Sequence, residues 1–264
     1  MTEPPVVVEI AASVATVSLN RPEVMNSLDQ TMRHALLAAL NTVAADPGVR
    51  CVVLTGRGRA FSAGQDLKQH ARMLADGQLD ELWSAVPEQY NPIAEILHQM
   101  PKPVIAAVNG VAAGAGAALA FLADYRIVAA SAGINVAFAG IGLSCDTGTS
   151  WTLPRLVGPT RAMDLLLNPR TISAAEALDH GIASEVVADA EFGERLTAVA
   201  QQLASGPTLA YAAIRRSIAF AASHSLPETL AYEAGRMRET GATADHRHAV
   251  DAFLAKEKPS FNGR

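Results

Sequence analysis

Cysteine, basic charge and membrane-length runs of large apolar residues are all scarce in this sequence. Two cysteines in 264 residues provide no disulfide framework and fit a reducing compartment, so we expect a cytoplasmic protein. A formal net charge of −5 argues against nucleic-acid binding, which normally requires a basic face. These shortages exclude a disulfide-stapled secreted domain and a nucleic-acid-binding protein as leading hypotheses.

The longest apolar run, residues 103–123, is long enough to resemble a membrane span. It contains Asn109 and is filled by glycine and alanine rather than leucine and isoleucine, so its transfer into lipid would be only weakly favourable. The acidic N-terminus has no apolar segment of the kind that a signal peptide needs. We therefore expect no membrane association, and the run fits the interior of a large domain.

Strands alternate with helices early in the chain and helices dominate late, which is typical of an α/β fold with a helical C-terminal region. Residues 6–10 and 14–20 predict a hairpin, and residues 28–45 predict a helix capped by Ser27 or Asn26. Residues 67–90 predict irregular helix over a site. Further strands are expected at 49–55, 103–108, 125–129, 133–138 and 181–187, and further helices at 93–99, 153–157, 161–167, 173–179, 190–205, 208–222, 227–240 and 245–254.

The stretch from Lys102 to Asp124 reads as a buried strand, a break at Asn109-Gly110 and an alanine-rich helix. The first amides of a helix have no partners within the helix, and they favour an anion. Small residues let a ligand approach the backbone closely. We therefore expect the N–H of Ala115 to donate to an oxyanion.

A second stretch of the same character, residues 59–67, follows the strand at 49–55. It also places small residues at the exit from a strand. One amide donor from each stretch would make a two-point oxyanion hole.

Several segments, in this order, resemble the enoyl-CoA hydratase/isomerase (crotonase) superfamily across nearly the whole chain. The resemblance implies a ClpP/crotonase-like spiral of ββα units over residues 1–200 and a helical trimerisation region over residues 201–264. The matching segments are Leu19-Asn20-Arg21-Pro22, Phe61-Ser62-Ala63-Gly64-Gln65-Asp66-Leu67, Ala106-Ala107-Val108-Asn109-Gly110, Leu153-Pro154-Arg155-Leu156-Val157-Gly158 and Lys258-Pro259-Ser260-Phe261.

The resemblance further implies a CoA thioester as substrate, no prosthetic group, and a homotrimer or dimer of trimers. It places the two amide donors at Ala63 and Ala115, where the family usually has glycine at the second position. Residues expected by resemblance to contact the acyl-CoA are Val24, Met25, Ala63, Gln65, Asp66, Leu67, Val111, Gly114, Ala115, Phe138, Leu143, Phe253 and Lys256.

Both glutamates that hydratase members use are missing, because Ala118 and Phe138 stand at their positions. Water addition needs a positioned acid and base, so simple hydration is disfavoured. Residues 141–148 instead resemble an isomerase-type segment with Asp146 as its working carboxylate. Burial would raise the pKa of this aspartate and suit it to take and return a proton. The alternative is that Asp146 caps a helix beginning near Thr149.

A single carboxylate favours isomerisation of an enoyl-CoA. The other possibilities are hydratase activity, dehalogenase or thioesterase activity, and acyl-CoA binding without turnover. Dehalogenation would use Asp146 as the nucleophile and would require a histidine to activate water, for which His70 is the candidate. It would also require aromatic side chains around the substrate ring. Phe138 could supply one such contact, but only 5% of the chain is aromatic.

Asp66, Cys145 and the pair His246 and His248 each allow both a functional and a purely structural interpretation. Asp66 reads as a residue that holds its loop, or as an exposed turn carboxylate. Cys145 reads as a small buried apolar residue rather than a nucleophile. His246 and His248 lack a third ligand nearby, so no metal site is expected.

Overall fold

A computed structural model describes residues 3–264; Met1 and Thr2, on which part of the signal-peptide prediction rests, lie outside the described residues. Within that range the strands are β1 (Val6–Ala11), β2 (Val14–Leu19), β3 (Cys51–Gly56), β4 (Ala60–Ser62), β5 (Val104–Val108), β6 (Val111–Ala113), β7 (Tyr125–Ala129), β8 (Gly133–Asn135), β9 (Ile172–Ser173) and β10 (Glu185–Val187). The helices are α1 (Gln30–Ala45), α2 (Leu67–Ala75), α3 (Leu79–Ala85), α4 (Asn91–Gln99), α5 (Ala115–Phe121), α6 (Thr149–Val157), α7 (Pro159–Leu167), α8 (Ala174–Asp179), α9 (Phe192–Ala204), α10 (Thr208–Ala221), α11 (Leu226–Gly241) and α12 (Ala244–Ala255).

The larger sheet has the strand order β1-β2-β3-β5-β7-β10. The predicted hairpin is confirmed: β1 and β2 are antiparallel, and every later pair in this sheet is parallel. Interior parallel strands are covered on both faces, which explains why β5 is apolar and buried along its whole length. Helix α1 covers one face through Met32, Leu36 and Leu40, whereas α9 covers the other.

The smaller sheet, in the order β4-β6-β8-β9, positions the two stretches of small residues. Strands β4 and β6 are parallel neighbours, so the chain leaves both at the same edge of the sheet. Residues 63–66 follow β4, and Gly114 and Ala115 follow β6. These strands were not predicted because each is only three residues long, too short to show an alternating pattern.

Helix α5 packs directly against β4. All seven of its residues are buried, which agrees with the prediction that this run forms the interior of the domain. At Gly116 an added Cβ would lie 2.4 Å from the main-chain oxygen of Ser62, so only glycine permits this approach. The alanine-rich composition of the helix thus serves close contact between two backbones.

The predicted cap of α1 is wrong. The helix begins at Gln30, and the carboxylate of Asp29 accepts a hydrogen bond of 2.8 Å from the N–H of Met32. Asn26 does not serve as the cap because its side-chain oxygen accepts from the N–H of Arg21 at 2.9 Å, and its amide donates to the carbonyl oxygen of Ala60 at 2.8 Å. The Ser27 hydroxyl likewise donates to Asp66 at 3.2 Å.

Three further boundaries differ from prediction. The strand expected at 133–138 ends at Asn135, because the chain turns into a short 3-10 segment, Ala139–Ile141. The strand expected at 181–187 contains only residues 185–187. Helix α6 starts at Thr149, the start assumed in the cap alternative for Asp146, and not at residue 153.

The C-terminal part is helical as predicted. Helix α9 crosses position 200, and its buried Val199, Ala200 and Ala204 all pack on the larger sheet. Helices α10, α11 and α12 follow it. Among residues 3–264, no helix combines the length and the apolarity that crossing a membrane would require.

Candidate active site

A mainly apolar cavity lies at the edge of the smaller sheet where β4 and β6 end. Its floor comes from the two small-residue stretches and its far wall from residues 137–146, while α2, α3 and the turn before α4 cover it. The cavity is lined by Ala63, Gln65, Leu67, His70, Leu82, Trp83, Ala85, Val86, Tyr90, Gly114, Ala115, Ala137, Phe138, Ile141, Leu143 and Asp146. Ligand sites are commonly concave, largely apolar, and supplied with a few polar groups, as this cavity is.

The turn after β6 brings the amide of Ala115 to the cavity. Gly114 adopts φ +51°, a conformation that favours glycine, and its own N–H donates to the carbonyl oxygen of Asn135 at 2.9 Å. Within residues 3–264, the N–H of Ala115 has no hydrogen-bond partner. This amide is therefore available to a ligand, as expected for an oxyanion donor.

The turn after β4 corrects the prediction for the second donor. The N–H of Ala63 donates to the carbonyl oxygen of Met25 at 2.9 Å, so it is already engaged. Two residues later, the N–H of Gln65 has no partner among residues 3–264, and Gln65 lines the cavity. The geometry therefore disfavours Ala63 and indicates Gln65 as the available amide.

Gly64 lets the two stretches meet. Its φ is +84°, and an added Cβ would lie 2.5 Å from the carbonyl oxygen of Ala113 and 3.3 Å from the nitrogen of Ala115. The backbone before Gln65 is thus pressed against the backbone before Ala115. Any larger residue at position 64 would push the two amide-bearing turns apart.

Asp66 holds the second turn in place. Its carboxylate accepts hydrogen bonds from the N–H groups of Lys68 and Gln69 at the start of α2, and it pairs with Arg21 at 3.2 Å. Burial by itself would raise the pKa of Asp66, but the hydrogen bonds and the Arg21 charge lower it overall. At 8% exposure Asp66 is not the exposed turn carboxylate that the sequence also allowed.

Asp146 lines the cavity and is partly buried. The hydroxyl of Thr147 donates to it at 2.8 Å. Helix α6 follows Gly148 and has no side-chain cap; Asp146 contributes only its main-chain oxygen, to Thr149. The helix-cap alternative for its side chain is therefore wrong.

Burial is the main influence on the titration of Asp146, and it raises the pKa of the carboxyl. The Thr147 hydroxyl and the positive charge of Arg33 offset part of that rise. A carboxyl with a raised pKa in a cavity is a typical acid–base group. Within residues 3–264, Asp146 is also the one carboxylate that lines this cavity.

The structure brings together eight of the residues predicted to form the site. These are Ala63, Gln65, Leu67, Gly114, Ala115, Phe138, Leu143 and Asp146. Six others do not line the cavity: Val24, Met25, Asp66, Val111, Phe253 and Lys256. Among them, Phe253 is 80% exposed near the end of α12, and Lys256 follows it in a left-handed conformation.

The sequence prediction did not identify most of the residues that cover the cavity. Leu82, Trp83, Val86 and Tyr90 all line the cavity, and their spacing follows one face of a helix. That spacing was the available signal. It was obscured because the exposed residues Asp80 and Glu81, next to Leu82, make the segment look polar.

Comparisons with known proteins agree with this geometry. The model of the family described as enoyl-CoA hydratase/isomerase matches residues 9–264. A protein of Rhodobacter capsulatus named "Probable enoyl-CoA hydratase" is 45% identical over 256 residues, which cover 97% of each chain. The 1,2-epoxyphenylacetyl-CoA isomerase of Escherichia coli is 41% identical over 255 residues, again 97% of each chain.

A solved structure extends the agreement to three dimensions. The crystal structure of an enoyl-CoA hydratase from Bacillus anthracis matches with a TM-score of 0.91 and 32% identity, over 98% of this chain and 100% of that one. The chain therefore belongs to the enoyl-CoA hydratase/isomerase family and has the crotonase fold, as the sequence motifs predicted. It is an enzyme of that family, which acts on acyl-CoA thioesters.

Proposed function

We propose that this enzyme shifts the double bond of an enoyl-CoA, with Asp146 moving the proton and the amides of Gln65 and Ala115 holding the thioester oxygen. The observation that carries the proposal is the composition of the cavity. Within residues 3–264 it has one carboxylate, and the amides of Gln65 and Ala115, in the turns that follow β4 and β6, have no other partners. The rest of its wall is mainly apolar.

The proposed reaction needs one base. Asp146 removes a proton from the α- or γ-carbon of the acyl chain, and the electron pair moves onto the thioester oxygen to form an enolate. The two amides stabilise that oxygen where its negative charge develops. Asp146 then returns the proton to the other carbon, so the double bond moves and the carboxylate is regenerated. The step uses only protein groups and the CoA thioester.

Hydration is less well supported by the same site. It requires a second positioned group to deliver water. Phe138 lines the cavity at one of the positions where hydratase members carry glutamate, and Ala118, at the other, is fully buried in α5. Neither side chain can transfer a proton.

The substitution Asp146→Asn tests the proposal because it removes the base and keeps the shape. We expect turnover of a 3-enoyl-CoA, followed by the absorbance of the conjugated thioester product, to fall roughly 10²–10⁴-fold. Binding of the CoA thioester, measured by calorimetry, should persist. The matched control is Asp189→Asn, an exposed aspartate on the loop before α9.

Two results would count against the proposal. Turnover by Asp146→Asn at the wild-type rate would remove Asp146 from the chemistry. If wild type and variant both bind acyl-CoA but are inert on hydratable and isomerisable substrates alike, the protein is an acyl-CoA-binding homologue instead.

A second candidate is rearrangement of an epoxide on an aryl-acyl-CoA, the kind of substrate in the name of the Escherichia coli relative. The observation that favours it is the cavity wall, where Trp83, Tyr90 and Phe138 gather in a chain with 5% aromatic residues. Loss of 1,2-epoxyphenylacetyl-CoA on incubation would support this candidate. Conversion of a linear 3-enoyl-CoA with no effect on the epoxide would contradict it.

We also propose that the enzyme works as a homotrimer or a dimer of trimers. Large apolar side chains are exposed on the C-terminal helices: Met237 at 74%, Phe253 at 80% and Leu254 at 74%. Such exposure is unusual without a partner. In this arrangement Phe253 and Lys256 contact the CoA of a neighbouring subunit, while Val24, Met25 and Val111 contact the CoA portion of their own.

A further inference from the structure

A buried polar network lies behind the cavity, on the side of Gln65. Arg33 and Tyr90 are each 3% exposed, and Gln89 is 6% exposed. Arg33 donates to the side-chain oxygens of Gln89 at 2.6 Å and of Gln65 at 3.2 Å. The hydroxyl of Tyr90 donates to the same Gln65 oxygen. Two buried donors therefore converge on the side chain of Gln65, a cavity-lining residue whose main-chain amide has no partner within residues 3–264.

The backbone around Gln65 is fixed by the same elements. Leu28 donates its N–H to the carbonyl oxygen of Gly64 at 2.7 Å, and its own oxygen accepts from the N–H of Asp66 at 3.3 Å. Arg33 donates to that Leu28 oxygen at 2.7 Å. One guanidinium thus links the side chain of Gln65 to the strand-like segment that holds its backbone.

The positive charge of Arg33 is not paired directly with a carboxylate, although it lowers the pKa of Asp146. Within residues 3–264 no salt bridge to a carboxylate is found for Arg33; its partners are neutral oxygens and the ring of Tyr90, whose centroid lies 5.1 Å away. A buried cation without a paired anion is destabilising.

A π-helical turn, Val86–Tyr90, supplies two members of the network. The N–H of Asn91 donates to the carbonyl oxygen of Val86, and Gln89 and Tyr90 both point inward. Single π-turns inside α-helical segments are rare and frequently occur at functional sites. This turn lets consecutive residues serve Arg33 and Gln65.

We infer that Tyr90 and Arg33 are positioning residues, which hold Gln65 so that its main-chain N–H points at the thioester oxygen of the substrate. The inference rests on the proposed function, because it assigns a purpose to the Gln65 amide. Neither residue transfers a proton in this scheme. Their contribution is the fixed direction of one hydrogen bond, and small errors of position at a reacting centre lower rates steeply.

Tyr90→Phe tests the inference with the smallest change, because it removes only the hydroxyl that Gln65 accepts from. We expect kcat to fall about 10-fold while KM changes less than about threefold, since the lost alignment matters most in the transition state. Gln65→Met, which keeps the main-chain amide and removes the side-chain oxygen, should have the same effect. Combining the two should be no worse than either alone. The matched control is Tyr125→Phe, which removes a hydroxyl bonded to Glu185.

A spectroscopic readout separates positioning from general damage. A saturated acyl-CoA such as butyryl-CoA, labelled with ¹³C at its carbonyl, cannot isomerise, and its infrared carbonyl band reports hydrogen bonding by the amides. We expect the wild-type protein to shift this band to lower frequency, Tyr90→Phe and Gln65→Met to reduce the shift, and Asp146→Asn and Tyr125→Phe to leave it intact.

The outcomes distinguish a failure of the positioning role from a failure of the proposed function. If wild type shows no band shift, the proposed oxyanion site itself fails. If wild type shows the shift and both Tyr90→Phe and Gln65→Met retain it with unchanged kcat, the oxyanion site stands and the positioning role is overturned.

Discussion

The hydroxyl of Thr147 donates a hydrogen bond of 2.8 Å to the carboxylate of Asp146, its neighbour in sequence. Thr147 adopts φ +52°, which is uncommon for a β-branched residue and costs conformational energy. Strain of this kind often occurs at functional sites. Here it accompanies a bond between consecutive side chains at the cavity wall.

Thr147→Val should move the pH profile of the enzyme. The proposed base must be ionised, so kcat/KM falls as the pH drops through the pKa of Asp146, which burial holds above its ordinary value. The Thr147 hydroxyl lowers that pKa, so removing it should move the acid limb to higher pH. Thr147→Ser keeps the hydroxyl and should leave the limb in place. An acid limb that is identical in all three proteins would contradict this role.

Two glycines with similar backbone conformations should respond differently to alanine. Gly64 and Gly77 have φ +84° and +70°, but an added Cβ meets Ala113 and Ala115 only at position 64 and meets nothing within 4 Å at position 77. Gly77→Ala should cost about 1 kcal/mol of unfolding free energy and keep activity. Gly64→Ala should cost about 2 kcal/mol or more and lower kcat at least about 100-fold. Denaturant unfolding and steady-state kinetics test both, and equal effects would refute the close contact of the two turns.

Asp146→Asn should stabilise the protein at neutral pH. Because the folded-state pKa of Asp146 is raised, the native protein binds the proton more tightly than the unfolded chain does. Stability therefore falls as the pH rises through the interval between the ordinary and the raised pKa, and the loss persists above it. Asparagine does not titrate, so the variant should be more stable by the order of 1 kcal/mol at pH 7, with the advantage shrinking at acidic pH. Thermal unfolding across pH measures this, and a variant less stable than wild type at pH 7 would contradict it.

The pattern of apolar and polar residues along the sequence predicted those parts of the fold that depend on residues close together in the chain. The hairpin of β1 and β2, the buried β5 and the small-residue entry to α5 follow from apolar runs and breaks that are contiguous in sequence. The same kind of local motif, together with family resemblance, predicted Asp146 as a site residue, and it lines the cavity.

The choice between Ala63 and Gln65 could not be made from sequence. Both lie in one turn of small and polar residues, and what separates them is a hydrogen bond from Ala63 to the carbonyl oxygen of Met25, 38 positions earlier. For the same reason the cap of α1 was misassigned, since Asn26 is engaged by Ala60 across the fold. Long-range partners decide which polar groups remain available, and spacing along the chain does not contain that information.

Phe253→Glu should weaken the proposed assembly. The side chain is 80% exposed in one chain, and a charge at an apolar subunit contact would be buried without a partner. We expect wild type to sediment as a trimer or hexamer in analytical ultracentrifugation and the variant to shift toward the monomer. A wild-type protein that sediments as a monomer at micromolar concentration would contradict the assembly.

The most direct test of the account follows the proton itself. A 3-enoyl-CoA incubated with enzyme in D₂O can be monitored by NMR for deuterium at its α- and γ-carbons, which reports proton removal whether or not the double bond moves. The account predicts rapid incorporation with wild type and at least about 100-fold slower incorporation with Asp146→Asn, whose acyl-CoA binding is retained. Incorporation at the wild-type rate in Asp146→Asn would show that another group is the base.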